Sequence, residues 1–449
     1  MRHSFRTPAA CPAGAITCSH SSVVRAGGCQ YNRYAVYDAF SYRESSLYCE
    51  DVAMADVADQ AGTPCYVYSA RSILERYRAY DETFADVPHR ILYAVKANFN
   101  LSLLRLLAGA GAGFDIVSGG ELFRVLRAGG NPGGVVFSGV GKTRAEIDYA
   151  LAEGIHAFNC ESEAELTLID VLAARRGVTA RVAVRVNPDV DPLTHPYIAT
   201  GLRENKFGID ITSVEGVYER ARRLRNIALT GVSCHIGSQL LDTDPIHEAV
   251  DIMLELVDRL RARGIPIEHL DLGGGLGIRY RPEERPPRIQ EFIARLLEKF
   301  SGRHLTVMVE PGRSIVGDAG ILLTRVLYRK NTGHKEFLVV DAAMTDLIRP
   351  ALYGAHHEIV PLRQRPEFGV VTADVVGPVC ETGDFLARDR QVANVPPGDV
   401  LVVCAAGAYG FALASNYNSR PRPPEILVDG AGWRVIRARE TYEDLVRGE

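Results

Sequence analysis

The sequence has no uninterrupted apolar stretch approaching the roughly 18 residues of a membrane span, and so reads as a soluble protein. It has no excess of one charge: 51 Lys and Arg stand against 55 Asp and Glu, for a net charge of -4. That balance removes the long-range electrostatic case for nucleic acid or an anionic membrane surface and leaves small molecules as the expected partners. Cys-x-x-Cys spacing is absent. The nine cysteines, at positions 11, 18, 29, 49, 65, 160, 234, 380 and 404, are scattered and odd in number. Neither a disulfide framework nor a zinc site is expected, and a reducing cytoplasm fits best. No internal repeat shows, and the Pro-rich turn at Arg420 to Pro424 is the nearest thing to a low-complexity tract.

Acidic residues are missing before Asp38, while Arg2, Arg6, Arg25 and Arg33 sit among serines, alanines and three cysteines. Residues 1–35 therefore resemble a transit peptide in composition, without the apolar core of a secretory signal and without an amphipathic face. A disordered extension, or translated upstream sequence, is an equally good expectation, so this segment carries no weight in the fold argument.

What is present is a rhythm. Apolar runs of strand length recur at Ile91–Val95, Gly113–Val117, Val135–Phe137, Ala157–Cys160, Val182–Val186, Gly231–His235, His269–Leu272 and Thr306–Glu310. Between them lie segments of helical spacing, from Leu101–Leu107 to Ile289–Phe300. Eight strands alternating with helices predict a parallel sheet closed into a (β/α)8 TIM-like barrel. After Gly312 the rhythm gives way to short strand-like runs at Leu322–Tyr328, Glu336–Val340, Val371–Val376, Val400–Val403 and Ile426–Val428. The expected organisation is the extension at 1–35, N-terminal strands at 36–65 joining a β domain, the barrel at 66–312, and a mostly β domain, sandwich- or barrel-like, at 313–449. Leu47–Val52 and Pro64–Tyr68 read as the N-terminal strands. The long connection 187–210, with Thr194-His195-Pro196-Tyr197, has the length of a functional or disordered loop.

Chemistry-bearing residues fall at the C-terminal ends of these strands, where a barrel builds its active site. The first strand ends on Lys96, and burial at a barrel mouth is expected to lower its pKa and free a neutral amine for Schiff-base chemistry. The sixth ends in Cys234-His235-Ile236-Gly237-Ser238-Gln239. No second ligand at suitable spacing accompanies His235, so metal is not expected and a flat face for stacking is the better reading. The seventh ends in Gly273-Gly274-Gly275-Leu276-Gly277, where backbone N–H groups can approach an anion closely, and the eighth in Glu310-Pro311-Gly312-Arg313. Amine, carboxylate, stacking ring and phosphate cradle at one mouth describe a site for pyridoxal 5'-phosphate.

These motifs, together with Cys380-Glu381-Thr382-Gly383-Asp384 and Gly407-Ala408-Tyr409-Gly410, resemble the fold-type III pyridoxal-phosphate decarboxylases of alanine-racemase-like fold. The resemblance runs from about Phe40 to the C-terminus. It is strongest to the branch that decarboxylates meso-2,6-diaminopimelate to L-lysine and CO2, the last step of lysine biosynthesis. It implies that Lys96 forms a Schiff base with the cofactor and that Glu310 keeps the pyridine nitrogen protonated. His235 would stack on the ring, and Ser238, Gly274, Gly275 and Tyr409 would bind the phosphate with Gly312 and Arg313 alongside. Cys380, supplied by the neighbouring subunit of a homodimer, would reprotonate the carbanion. Arg313, Arg349 and Tyr353 would grip the distal carboxylate of the substrate and Glu381 its distal ammonium, with Tyr409 also at the substrate. A bidentate guanidinium suits a carboxylate. Ornithine, lysine, arginine or carboxynorspermidine as substrate, a non-catalytic homologue that binds the cofactor, and a racemase remain the alternatives.

Overall fold

The computed structural model describes residues 38–191 and 206–449. The extension at 1–35 and the Thr194-His195-Pro196-Tyr197 stretch lie outside the described residues.

Eight parallel strands form the barrel: His89–Ala94, Gly113–Ile116, Val135–Phe137, Ala157–Cys160, Ala180–Asn187, Ile227–Ser233, His269–Asp271 and Thr306–Val309. Each pairs with the next, and the ring closes where the eighth meets the first at Val309 and Ile91. The strands are buried on both faces, which is why they read in sequence as unbroken apolar runs. The surrounding helices begin where polar side chains can satisfy the free N–H groups of a first turn. Ser69, Asn100, Ser118, Thr143 and Ser162 each accept such a bond, so the helices Ala70–Thr83, Leu101–Gly109, Gly119–Arg127, Arg144–Glu153 and Glu163–Arg176 start immediately after them. Leu92, Val136 and Met308, from three different strands, form a small apolar cluster of their own. Full burial of such side chains contributes about 1.5–3 kcal/mol each.

The second sheet runs in the order Phe385–Ala393, Val370–Val376, Glu336–Val340, Gly320–Asn331, Cys65–Ser69, Glu425–Asp429, Gly432–Arg437. Val400–Val403 also pairs with Gly320–Asn331, and Ile359–Pro361 with Val400–Val403. The strand Cys65–Ser69, which precedes the barrel in the chain, is thus a central strand of the sheet that follows the barrel. It lies antiparallel to Gly320–Asn331 and parallel to Glu425–Asp429. The expected single strand over Leu47–Val52 is two, Ser46–Cys49 and Val52–Ala53, because Glu50 between them turns the chain with φ 51°. Its buried carboxylate accepts from Ser69 Oγ, the Arg71 N–H and the Gly430 N–H, pinning the N-terminal hairpin to the second sheet.

Candidate active site

The first barrel strand runs straight into a single 3-10 turn, Val95–Ala97, that carries Lys96 at the barrel mouth. Its Nζ donates to Oδ2 of Asp115 at 2.9 Å, and Asp115 is fully buried at the end of the second strand. The lowered pKa expected for Lys96 is not what the structure gives. Burial does work against the charge, but the carboxylates of Asp115 and Glu310 and the Tyr409 hydroxyl outweigh it and raise the ammonium above its ordinary value. Sequence reveals burial and places Glu310 at the same mouth; it does not reveal Asp115, the larger of the two counter-charges.

Below the lysine lies a polar interior. Glu310, at the end of the eighth strand, is buried with Asp271 of the seventh. The Asn159 amide reaches Asp271 Oδ2 at 3.0 Å, Ser138 Oγ at 3.2 Å and Glu310 Oε1 at 3.3 Å. Burial, with Asp115 and Asp271 close by, pushes the Glu310 carboxyl well above the usual range despite the opposing pull of Lys96. Burial likewise raises Asp271. Three carboxyl groups thus face one ammonium, and Asp115 Oδ1 and Asn159 Oδ1 have no hydrogen-bond partner among the described residues. Carboxyl groups outnumber the ammonium in this interior, which fits a ring nitrogen that carries a proton.

The sixth strand presents His235, whose Nδ1 accepts the Gly274 N–H at 3.2 Å. Burial, then Arg185 and Lys96, hold the imidazole neutral by pushing its pKa far down. The Gly273–Gly275 turn must be glycine: Gly273 and Gly275 have φ of 67° and 121°, and a Cβ on Gly274 would come within 2.4 Å of the Glu310 carbonyl oxygen.

Two arginines close the other side. Arg313 donates from Nη1 to the Tyr280 hydroxyl at 2.7 Å and from Nη2 to Ser238 Oγ at 3.0 Å, and its guanidinium lies 4.9 Å from the Tyr409 ring centre. Arg349 covers the Tyr280 ring at 4.6 Å. Both are buried, and neither has an acidic partner among the described residues. Lys96, His235, Ser238, Gly274, Gly275, Glu310, Gly312, Arg313, Arg349, Tyr353 and Tyr409 all line one cavity of about 340 Å³. That is a small-molecule volume.

Cys380 and Glu381 are not among them. They stand exposed on a turn held by Asp384, whose carboxylate accepts from the Met344 and Val379 N–H groups. Cys380 N–H donates to Asn418 Oδ1 at 2.9 Å. Sequence reasoning missed Asp115, Asn159, Asp271 and Tyr280. For the two aspartates there was a signal: each interrupts an otherwise apolar barrel strand, and an acid at such a position must face the interior.

A model of the pyridoxal-dependent decarboxylases, pyridoxal binding domain, matches residues 70–317. The diaminopimelate decarboxylase of Pseudomonas aeruginosa is 55% identical over 92% of this chain and 99% of its own. This chain belongs to the diaminopimelate decarboxylase family. Solved diaminopimelate decarboxylases superimpose closely. The M. jannaschii structure in complex with L-lysine has a TM-score of 0.86 at 38% identity, covering 91% of this chain and 97% of its own. The Helicobacter pylori structure with L-lysine has 0.84 at 41%, covering 88% and 98%. As a diaminopimelate decarboxylase family member, the chain offers within one cavity a lysine, a buried carboxyl group and two arginines that have no acidic partner among the described residues.

Proposed function

We propose that the protein decarboxylates meso-2,6-diaminopimelate to L-lysine and CO2, as a carboxy-lyase of lysine biosynthesis with pyridoxal 5'-phosphate as cofactor. The observation that carries the reading is the pair Arg313 and Arg349, buried without acidic partners in the cavity that holds Lys96. A buried charge left unpaired costs about 3–5 kcal/mol, so the pair calls for an anionic group on the substrate beyond the reacting centre. Diaminopimelate has such a distal carboxylate; lysine and ornithine, decarboxylated at their α-carbon, do not.

Bound pyridoxal phosphate supplies the conjugated ring that takes up the electron pair left when CO2 departs. The residues of this chain do the rest. Lys96 Nζ would be the point at which the cofactor is held. Glu310 would hold a proton at the ring nitrogen, with Asn159 and Asp271 fixing its carboxyl. Neutral His235 offers a flat face, while the Gly273–Gly275 amides, Ser238 and Tyr409 receive the phosphate. Arg313, Arg349 and Tyr353 orient the distal carboxylate.

The proton donor comes from a second copy. Cys380 and Glu381 are exposed rather than directed into their own cavity, and exposed Leu352, Leu413 and Tyr417 offer apolar surface for a homodimer. In that dimer Cys380 Sγ delivers the proton to the carbon that lost CO2, a step suited to a thiol, and Glu381 takes the distal ammonium. A reducing cytoplasm is the compartment of choice, since the six cysteines among the described residues are free thiols.

The test is CO2 release by the cofactor-saturated protein offered meso-diaminopimelate, L-lysine, L-ornithine and L-arginine in parallel. Release from diaminopimelate alone is expected. Release from ornithine or arginine would overturn the role given to Arg349, and release from none would favour a non-catalytic homologue.

A further inference from the structure

Behind the arginine pair lies a histidine that the reaction as described does not use. His357 is fully buried. Its Nδ1 is 2.8 Å from the carbonyl oxygen of Cys404, and a carbonyl only accepts, so Nδ1 carries the ring proton. Nε2 is left with a lone pair. It faces Arg349 Nη1 at 2.8 Å, and a guanidinium only donates. The two contacts demand the same tautomer, and they demand a neutral ring. Burial and the adjacent Arg349 charge keep it so by pushing its pKa far down.

The placement of His357 is set by the sheet, not by the cavity. The strand Ile359–Pro361 pairs antiparallel with Val400–Val403, and the Cys404 N–H donates to the Glu358 carbonyl at 2.8 Å. That register brings the Cys404 carbonyl beside the imidazole. Arg349 belongs to a different element, the five-residue helix Arg349–Tyr353. A long side chain on a short helix has many rotamers, and an arginine facing an open cavity loses them only if something holds it. Tyr280 holds one face of the guanidinium, at 4.6 Å, and packs edge-on against the His357 ring with centres 5.3 Å apart. It cannot set the rotation of the guanidinium within its own plane. The Nη1–Nε2 bond can.

We propose that His357 is a positioning residue for substrate recognition: by accepting one N–H of Arg349, it turns the remaining donors of that guanidinium toward the distal carboxylate of the substrate. The inference rests on the assignment of Arg349 to that carboxylate made above. A mere space-filling histidine would need neither the tautomer nor the anchor on Cys404.

Two substitutions separate the contacts. In His357→Gln the side-chain oxygen can stand where Nε2 stood and still accept from Arg349. In His357→Asn the amide can stand where Nδ1 stood, keep the Cys404 anchor and leave Arg349 without its acceptor. With the holoenzyme, His357→Asn is expected to raise KM for meso-diaminopimelate by roughly tenfold or more, with kcat changed far less, whereas His357→Gln stays near wild type. Inhibition by L-lysine, which keeps the carboxylate, should weaken in parallel. Inhibition by 1,5-diaminopentane, which lacks it, should not move. Equal effects of the two substitutions, unchanged KM in His357→Asn, or parallel loss of diaminopentane inhibition would each overturn the proposal. Should His357→Asn fail to fold, the 15N-histidine spectrum of the wild type decides, with the His357 signals assigned by difference against His357→Gln. A proton on Nδ1 is expected, and a proton on Nε2 would overturn it. Wild-type protein that does not turn over diaminopimelate would instead sink the proposed function itself, so the two failures are distinct.

Discussion

Asp115 Oδ2 accepts a hydrogen bond from Lys96 Nζ at 2.9 Å, so the amine proposed as the point of cofactor attachment starts as half of an ion pair. Asp115 raises the Lys96 pKa, and its removal leaves burial opposed only by Glu310 and Tyr409, which moves the value down from that of the wild type. In Asp115→Asn the neutral amine should therefore persist to lower pH. The pH midpoint for reconstitution with pyridoxal phosphate, followed by absorbance, should shift down relative to wild type; an upward shift would refute the pairing.

Lys96→Ala should fold, lose the Schiff-base absorbance and show no turnover. Glu310→Gln is the subtler change. It keeps the shape but cannot leave a carboxylate facing a protonated ring nitrogen, and kcat should fall by roughly a hundredfold or more. A kcat within a few-fold of wild type would show that another group holds that proton.

Arg349→Lys retains charge and loses the planar fork. KM for diaminopimelate should rise by about tenfold or more, because a point charge cannot replace two directed N–H donors. Steady-state kinetics with diaminopimelate check it, and unchanged KM would mean that Arg349 does not touch the substrate.

Cys380→Ala and Lys96→Ala should each be inactive alone. Mixed under conditions that exchange subunits, they should regain roughly a quarter of wild-type activity, since half the dimers then contain one intact site out of two. No recovery in a mixture proved to contain heterodimers would place Cys380 in its own subunit's reaction, and activity of Cys380→Ala alone would place it outside the reaction.

Asp346, three residues before Arg349, supplies a test of stability rather than of turnover. Burial raises its pKa to about 7, partly opposed by the Ala343 N–H that its carboxylate accepts. A carboxyl raised in the folded state binds a proton more tightly there than in the unfolded chain. Its contribution to stability is therefore lost as pH rises from about 4 through about 7. Asp346→Asn should flatten the fall of melting temperature with pH over that window, and a steeper fall would contradict the assignment.

The barrel was legible because parallel strands covered on both faces leave runs such as Ile91–Val95, and because its helices follow at regular intervals. The mouth was legible because Lys96, His235, the Gly273–Gly275 turn and Glu310 each follow a strand directly. What stayed hidden depends on partners distant in sequence. Asn159 and Asp271 meet Glu310 only through barrel closure, and Tyr280 acquires its role from Arg313 and Arg349. Phe385–Ala393 was missed because Arg388, Asp389 and Arg390 interrupt its apolar pattern at an exposed edge of the sheet. The Lys96 pKa was misjudged for the same reason: Asp115 is 19 residues away in the chain.

The position of Cys65–Ser69 between Gly320–Asn331 and Glu425–Asp429 has a consequence for how the molecule comes into being. When the last barrel strand, Thr306–Val309, has just been synthesised, neither neighbour of Cys65–Ser69 has yet been made. During synthesis at roughly 5–20 residues per second, its N–H and C=O groups wait many seconds for partners. The loop carrying Tyr409, which docks its N–H on the Ala97 carbonyl beside Lys96, arrives in the same late stretch. Lys96 is thus made early and enclosed last, which puts completion of the cavity at the end of translation.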